Sequence, residues 1–162
     1  MENLESYRTI LAGSVVFKGL TAAELDPVLA AAELVTRKPK ELVLSEGSPT
    51  DGLYIVLEGE VEVFLPERAA SGAHRPSRVR LGRVGVGRCL GEYGVIDDQP
   101  SSASVEALGP VKLCFLSKAQ FRRLVERYDR VGHIAYANLL RYLVSRLRAK
   151  NKELDIFVID EK

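Results

Sequence analysis

Two cysteines and two histidines are the side chains best equipped for nucleophilic, acid–base or metal chemistry, and their spacing supports none of it. Cys89 and Cys114 lie among apolar residues, with no C-x-x-C and no zinc-type spacing. They read as buried thiols in a reducing compartment. His74 falls in a polar stretch and His133 in a helical pattern. No H-x-H occurs where strands are expected, so a metal held between strands would lack ligands. There is no Gly-x-Ser-x-Gly, no Walker-type phosphate loop and no Cys-His pairing. The sequence is therefore expected to be no enzyme and to hold no metal or resident cofactor. What remains is recognition, and the elements that would carry it.

Residues 9–35 are read as helical. Thr21 followed by Glu24 forms a capping box, each side chain taking a backbone N–H that the helix leaves free. Leu25, Val28 and Leu29 recur at helical spacing, and the alanines at 30–32 continue a good helix former. The pattern changes after Thr36. From 41 to 116 the signal is short strands and turn glycines: a strand starting near Val43, a nearly continuous apolar strand at 53–57, Val61 and Val63 alternating with Glu60 and Glu62, a strand at 79–84, and two more at 104–107 and 111–116. Residues 66–78 lack large apolar side chains and read as a long hairpin loop. Ser117 with Gln120 caps a helix whose stripe is Phe121, Leu124 and Val125. A second helix spans about 129–153. Its Tyr136, Leu140, Leu143 and Leu147 follow 4-3-4 spacing, a seam suited to another helix. Residues 156–159 form an apolar tail.

With 162 residues the chain is one domain by length, and 46% hydrophobic with 28% charged residues is ordinary globular composition. Lys and Arg (23) balance Asp and Glu (22), so net charge argues for neither nucleic acid nor membrane. No run reaches the ~18 apolar residues of a membrane span, and no signal peptide opens the chain, so a cytoplasmic protein is expected. The helical end is locally basic: ten basic residues face four acidic ones over 117–155. A solvated helix face is the plain explanation.

Specific residues add to this. Phe17-x-Gly19-Leu20 with Glu24-Leu25, then Glu46-Gly47, then Asp51-x-Leu53-Tyr54-Ile55-Val56-Leu57-Glu58-Gly59-x-Val61, resemble the entry helices and central hairpin of the cyclic-nucleotide-binding domain family. Gly87-x-x-x-Gly91-Glu92 resembles the start of that family's phosphate-binding cassette, and Pro100 with Ala103-Ser104-Val105 its end. The resemblance covers about residues 10–150. It implies an α+β fold: an antiparallel β-roll, jelly-roll-like, flanked by N-terminal helices (9–35) and C-terminal helices (117–155) around a roll at 41–116, in one domain over 1–162. It also implies a ligand site at Gly91, Glu92, Tyr93, Ser101, Ser102 and Ala103. There the glycine turn brings backbone N–H groups to a cyclic phosphate, and the glutamate accepts from the ribose 2′-hydroxyl.

The family's phosphate-pairing arginine would stand directly after Pro100, where this chain has Ser101. A charge-assisted hydrogen bond contributes ~1.5–3 kcal/mol. Its loss weakens binding by about 10- to 100-fold. Arg88, or the arginines at 68, 75, 78 and 80 in and after the long loop, could supply the missing charge, while Asp97 and Asp98 oppose an anion. Two readings follow. One is a sensor of cyclic AMP, cyclic GMP or a cyclic dinucleotide, acting on an unidentified protein partner. The other is a degenerate scaffold for dimerisation or docking. Either is expected to form a homodimer through Tyr136, Leu140, Leu143 and Leu147. The family's transcription regulators append a DNA-binding helix-turn-helix about where this chain ends, so no DNA-binding domain is expected.

Overall fold

The computed structural model describes residues 3–160, without the side chains of Phe157, Ile159 and Asp160. Eight strands run in order: β1 (Glu33–Arg37), β2 (Leu42–Leu44), β3 (Gly52–Glu58), β4 (Val61–Leu65), β5 (Val79–Val84), β6 (Cys89–Leu90), β7 (Ser104–Ala107) and β8 (Val111–Ser117). They form two antiparallel sheets, ordered β1-β8-β3-β6 and β2-β7-β4-β5. Around this roll lie α1 (Arg8–Ala12), α2 (Ala22–Ala31), α3 (Glu92–Asp97), α4 (Lys118–Arg127) and α5 (Asp129–Asp160). The α+β roll expected from the sequence is the fold observed.

β3 ties the halves together. Every residue from 52 to 57 is buried, which explains its continuous apolar run. Leu53, Ile55 and Leu57 enter one core with Phe17, Leu25, Phe121, Val131, Ala135 and Leu139 from the helices. Tyr54 and Val56 face the opposite way, into the core between the sheets with Val61, Val84, Leu90 and Val105. Each such fully buried side chain contributes about 1.5–3 kcal/mol of transfer free energy. Cys89 and Cys114 both stand opposite Ile55, one on each neighbouring strand. Two strand spacings of about 4.8 Å separate them, beyond disulfide reach. Both thiols are free and buried, and burial pushes Cys114 up to about 12 and Cys89 well above its ordinary value.

Both expected capping boxes form, Thr21 with Glu24 and Ser117 with Gln120. The helical reading of 9–35 fails in its middle, where residues 13–21 are turns and irregular backbone between α1 and α2, and again at its end. The α2 helix stops at Ala31, Ala32 turns extended, and Glu33–Arg37 pairs residue for residue with β8. Alanine's helix propensity loses to sheet pairing by Leu34 and Val35. The roll thus begins at 33 rather than 41. The long helix runs to Asp160 rather than 155, so the 156–159 tail is helical, with Ile156 and Val158 exposed. On β4 the outward residue Glu62 is not wet. Its carboxylate is buried beneath Arg78 and Arg80, and the Arg78 guanidinium lies 3.5 Å from the Phe64 ring centre.

Candidate functional site

The site is built where β6 ends. Gly91 has φ +81°, and a β-carbon there would come within 2.3 Å of the Gly52 carbonyl oxygen. Only glycine lets the chain turn this tightly against β3. The turn puts Glu92 at the first position of α3, with its side chain only 4% exposed. Gly94, one turn on, leaves no room for a β-carbon beside Thr50.

A buried carboxylate requires a partner, and here it comes from α5. Arg146 Nη1 donates to Glu92 Oε1 at 2.8 Å. Burial raises the Glu92 carboxyl above its ordinary value, opposed by its own backbone N–H and by Arg146. The guanidinium is flanked by aromatic rings, 5.8 Å from the centre of Tyr93 and 5.6 Å from that of Tyr142. Burial pushes the Tyr142 phenol up to about 12.

The opposite wall is the segment at 101–103. Ser101 N–H donates to Ser48 O at 2.9 Å, and Gly47 N–H donates to Ser101 O at 2.8 Å. The hydroxyls of Thr50 and Ser101 lie 3.3 Å apart. Gly91, Glu92, Tyr93, Ser101, Ser102 and Ala103 all line one pocket, so the six residues expected from the sequence are brought together. A larger cavity of about 590 Å³ opens from it between β5 and α5, sharing Tyr93, Ser102, Ala103 and Arg146. Its apolar lining includes Val63, Leu81, Val84 and Leu147. Its charged lining is Arg83, Arg88, Arg146 and Lys150 against Glu153.

The charges assigned to the loops from sequence lie elsewhere. Arg75 pairs with Glu46 at 2.7 Å, Arg78 with Glu62 and Glu106 at 2.7 Å, and Arg80 with Glu62 at 2.6 Å. These pairs sit on the outer face of the roll, and neither cavity is lined by them. The backbones of Arg68 and His74 form an isolated antiparallel β-bridge within the loop, and Arg68 lines neither cavity. Asp98 is bound to Lys118 at 2.8 Å and Arg122 at 2.7 Å, which hold its carboxyl below the usual range. It tethers α3 to α4 and lines neither cavity. Arg88 does line the outer cavity, as the sequence suggested it could.

Sequence reasoning missed Arg146, Tyr142 and Thr50. The signal for Arg146 was present. Val131, Ala135, Leu139 and Tyr142 form the inward stripe of α5, and Arg146 is its next step, a charge on a core face. The stripe chosen from sequence lies one residue over. Tyr136, Leu140 and Leu147 are exposed, the two leucines at 63% each, whereas Leu143 is half-buried against the outer cavity. Val144 takes its place among the exposed residues. Among the described residues no group of three or more His, Cys, Asp or Glu could hold a metal, and no helix is long and apolar enough to cross a membrane.

Two antiparallel four-stranded sheets closed by a long helix, with a glycine turn presenting a buried glutamate, define the class as a helix-flanked antiparallel β-roll domain. The family model described as "Cyclic nucleotide-binding domain" matches residues 34–128, and the chain belongs to that family. It is similar to the "Cyclic AMP receptor protein" of Thermus thermophilus, 29% identical over 149 residues, covering 92% of this chain and 64% of that protein. It is also similar to the "cAMP-dependent protein kinase regulatory subunit" of Pyricularia oryzae, 31% identical over 119 residues, covering 74% of this chain and 28% of that one. The chain thus spans less than two thirds of these relatives. A crystal structure of a cyclic nucleotide-binding domain from Methylobacillus flagellatus KT shares the fold, with TM-score 0.82, 24% identity, and coverage of 94% of this chain and 85% of that one.

Proposed function

We propose that this chain is a regulatory rather than catalytic module, which takes a cyclic-nucleotide-type anion between the roll and α5. The observation that carries this reading is the Glu92–Arg146 pair, set beside the Gly91 turn at the junction of the two cavities. A buried carboxylate offers an acceptor for a sugar hydroxyl. Tyrosine faces and aliphatic walls suit a base, and the outer cavity's four cations against the one carboxylate of Glu153 suit a phosphate. The two relatives are named for cyclic AMP, which makes that nucleotide the first probe. The buried free thiols suit a reducing, cytoplasmic setting.

The test is calorimetric titration with cyclic AMP, cyclic GMP and cyclic di-GMP, after the purified protein has been checked for bound nucleotide. Micromolar or tighter binding to one of them is expected. No heat with any, and no co-purified nucleotide, would sink the sensor reading.

A second reading is favoured by a different observation. Tyr136, Leu140, Val144, Leu147, Leu154 and Val158 leave an exposed apolar stripe down α5. Such a stripe calls for a cover, and a second copy of α5 supplies one of matching length and spacing. In this reading the domain is a dimerising scaffold whether or not it binds a nucleotide. Sedimentation at micromolar concentration is expected to give a dimer, and Leu140→Glu with Leu147→Glu a folded monomer. A wild-type monomer would remove the seam.

A further inference from the structure

We propose that Arg146, carried by α5, meets the anionic group of the ligand and so replaces the cation that Ser101 does not supply. The inference rests on the sensor reading above and names the residue on which its affinity depends. Among the described residues Arg146 is the only cation lining the inner pocket, the space bounded by Gly91, Glu92 and Ser101. The competing cations are occupied or distant. Arg75, Arg78 and Arg80 are bound to Glu46, Glu62 and Glu106 on the outer face. Lys150 is held by Glu153 at 2.7 Å and by Leu81 O at 3.3 Å. Arg83 pairs with Glu60, and both Arg83 and Arg88 line the outer cavity alone.

The guanidinium also has capacity to spare. It carries five N–H donors in a planar fork, and only Nη1 is engaged, by Glu92. Among the described residues Nη2 and Nε have no hydrogen-bond partner. A ligand phosphate beside Glu92 would place two anions in a pocket of low dielectric. Arg146 can serve both at once, because one edge of the fork stays on the carboxylate and another faces the phosphate. The rings of Tyr93 and Tyr142 hold it in place. Placing this cation on α5 has a consequence for signalling. The ligand then joins the helix to the roll directly, and its binding energy acts on the position of α5.

The experiment measures affinity of the intact chain for whichever of cyclic AMP, cyclic GMP and cyclic di-GMP the wild type binds. It compares Arg146→Gln, Arg146→Lys, Glu92→Gln, the Glu92→Gln/Arg146→Gln pair, and Arg148→Gln as an exposed control. Thermal unfolding checks that each variant folds. Arg146→Gln is expected to weaken binding 10- to 100-fold, Arg146→Lys less, and Arg148→Gln not at all. The same loss is expected when Arg146→Gln is made in the Glu92→Gln background, because the lost contact is with the ligand. If Arg146 only neutralises Glu92, the loss vanishes in that background and the proposal is overturned. Undiminished binding by Arg146→Gln also overturns it while leaving the sensor reading intact. Should Arg146→Gln fail to fold, Arg146→Lys and the double variant, in which no buried carboxylate is left unpaired, carry the same comparison. No binding by the wild type removes both proposals.

Discussion

Gly91→Ala is expected to destabilise the domain by about 2–5 kcal/mol and to abolish whatever binding the site has. Two costs combine. An L-residue held in left-handed backbone costs roughly 1–2 kcal/mol, and φ at Gly91 is +81°. The new methyl group would also meet the Gly52 carbonyl oxygen at 2.3 Å. Overpacking of this kind costs typically 1–3 kcal/mol. The obstacle is backbone of the central strand, so it cannot rotate away. Gly87→Ala separates the two terms. Gly87 has nearly the same φ, +80°, but its β-carbon would find only Ser14 Cα, at 4.0 Å. It should lose the conformational part alone. Urea unfolding of both variants gives the comparison. A Gly91→Ala loss no larger than that of Gly87→Ala would mean that β3 and the cassette turn are less tightly joined than their geometry requires.

How far the sequence discloses this molecule depends on whether a feature is local. The capping boxes at Thr21 and Ser117 were legible because their partners stand three residues away. β3 was legible because burial on both faces demands an unbroken apolar run. β1 was not, since Glu33–Arg37 becomes a strand by pairing with β8, about eighty residues distant, and alanines precede it. The same distance hid the site's cation. Arg146 lies fifty-four residues from Glu92, and only the folding of α5 across the roll joins them. The pattern on α5 shows how one period can hold two faces. Positions 135, 139, 142 and 146 and positions 136, 140, 143 and 147 share one rhythm, and the first set turned inward. Charged residues misled in the opposite direction. Four arginines near 66–80 looked free to reach a ligand, but buried or half-buried glutamates on β4 and β7 hold Arg78 and Arg80, and Glu46 holds Arg75.

Ser101→Arg is expected to tighten binding of a cyclic mononucleotide by about 10- to 100-fold. The new guanidinium would add a charge-assisted contact of ~1.5–3 kcal/mol on the wall opposite α5. The contact it removes is smaller: Ser101 Oγ lies 3.3 Å from Thr50 Oγ1, a neutral hydrogen bond of about 1 kcal/mol or less. The Ser101 backbone bonds to Gly47 and Ser48 do not depend on the side chain and remain. The pocket already carries Arg146, so the gain should depend on it. With both arginines present, each shares one phosphate and one buried glutamate. With Arg146 replaced by Gln, the arginine at 101 would be the pocket's sole cation. The substitution at 101 should therefore restore most of the affinity that Arg146→Gln removes, and the two effects should be non-additive. Strict additivity would show that the two positions act on different parts of the ligand. Rescue would also separate binding from its readout, because an arginine at 101 holds the ligand to the roll without holding α5. Hydrogen exchange along α5 should then show ligand protection in the wild type and little in the rescued double variant.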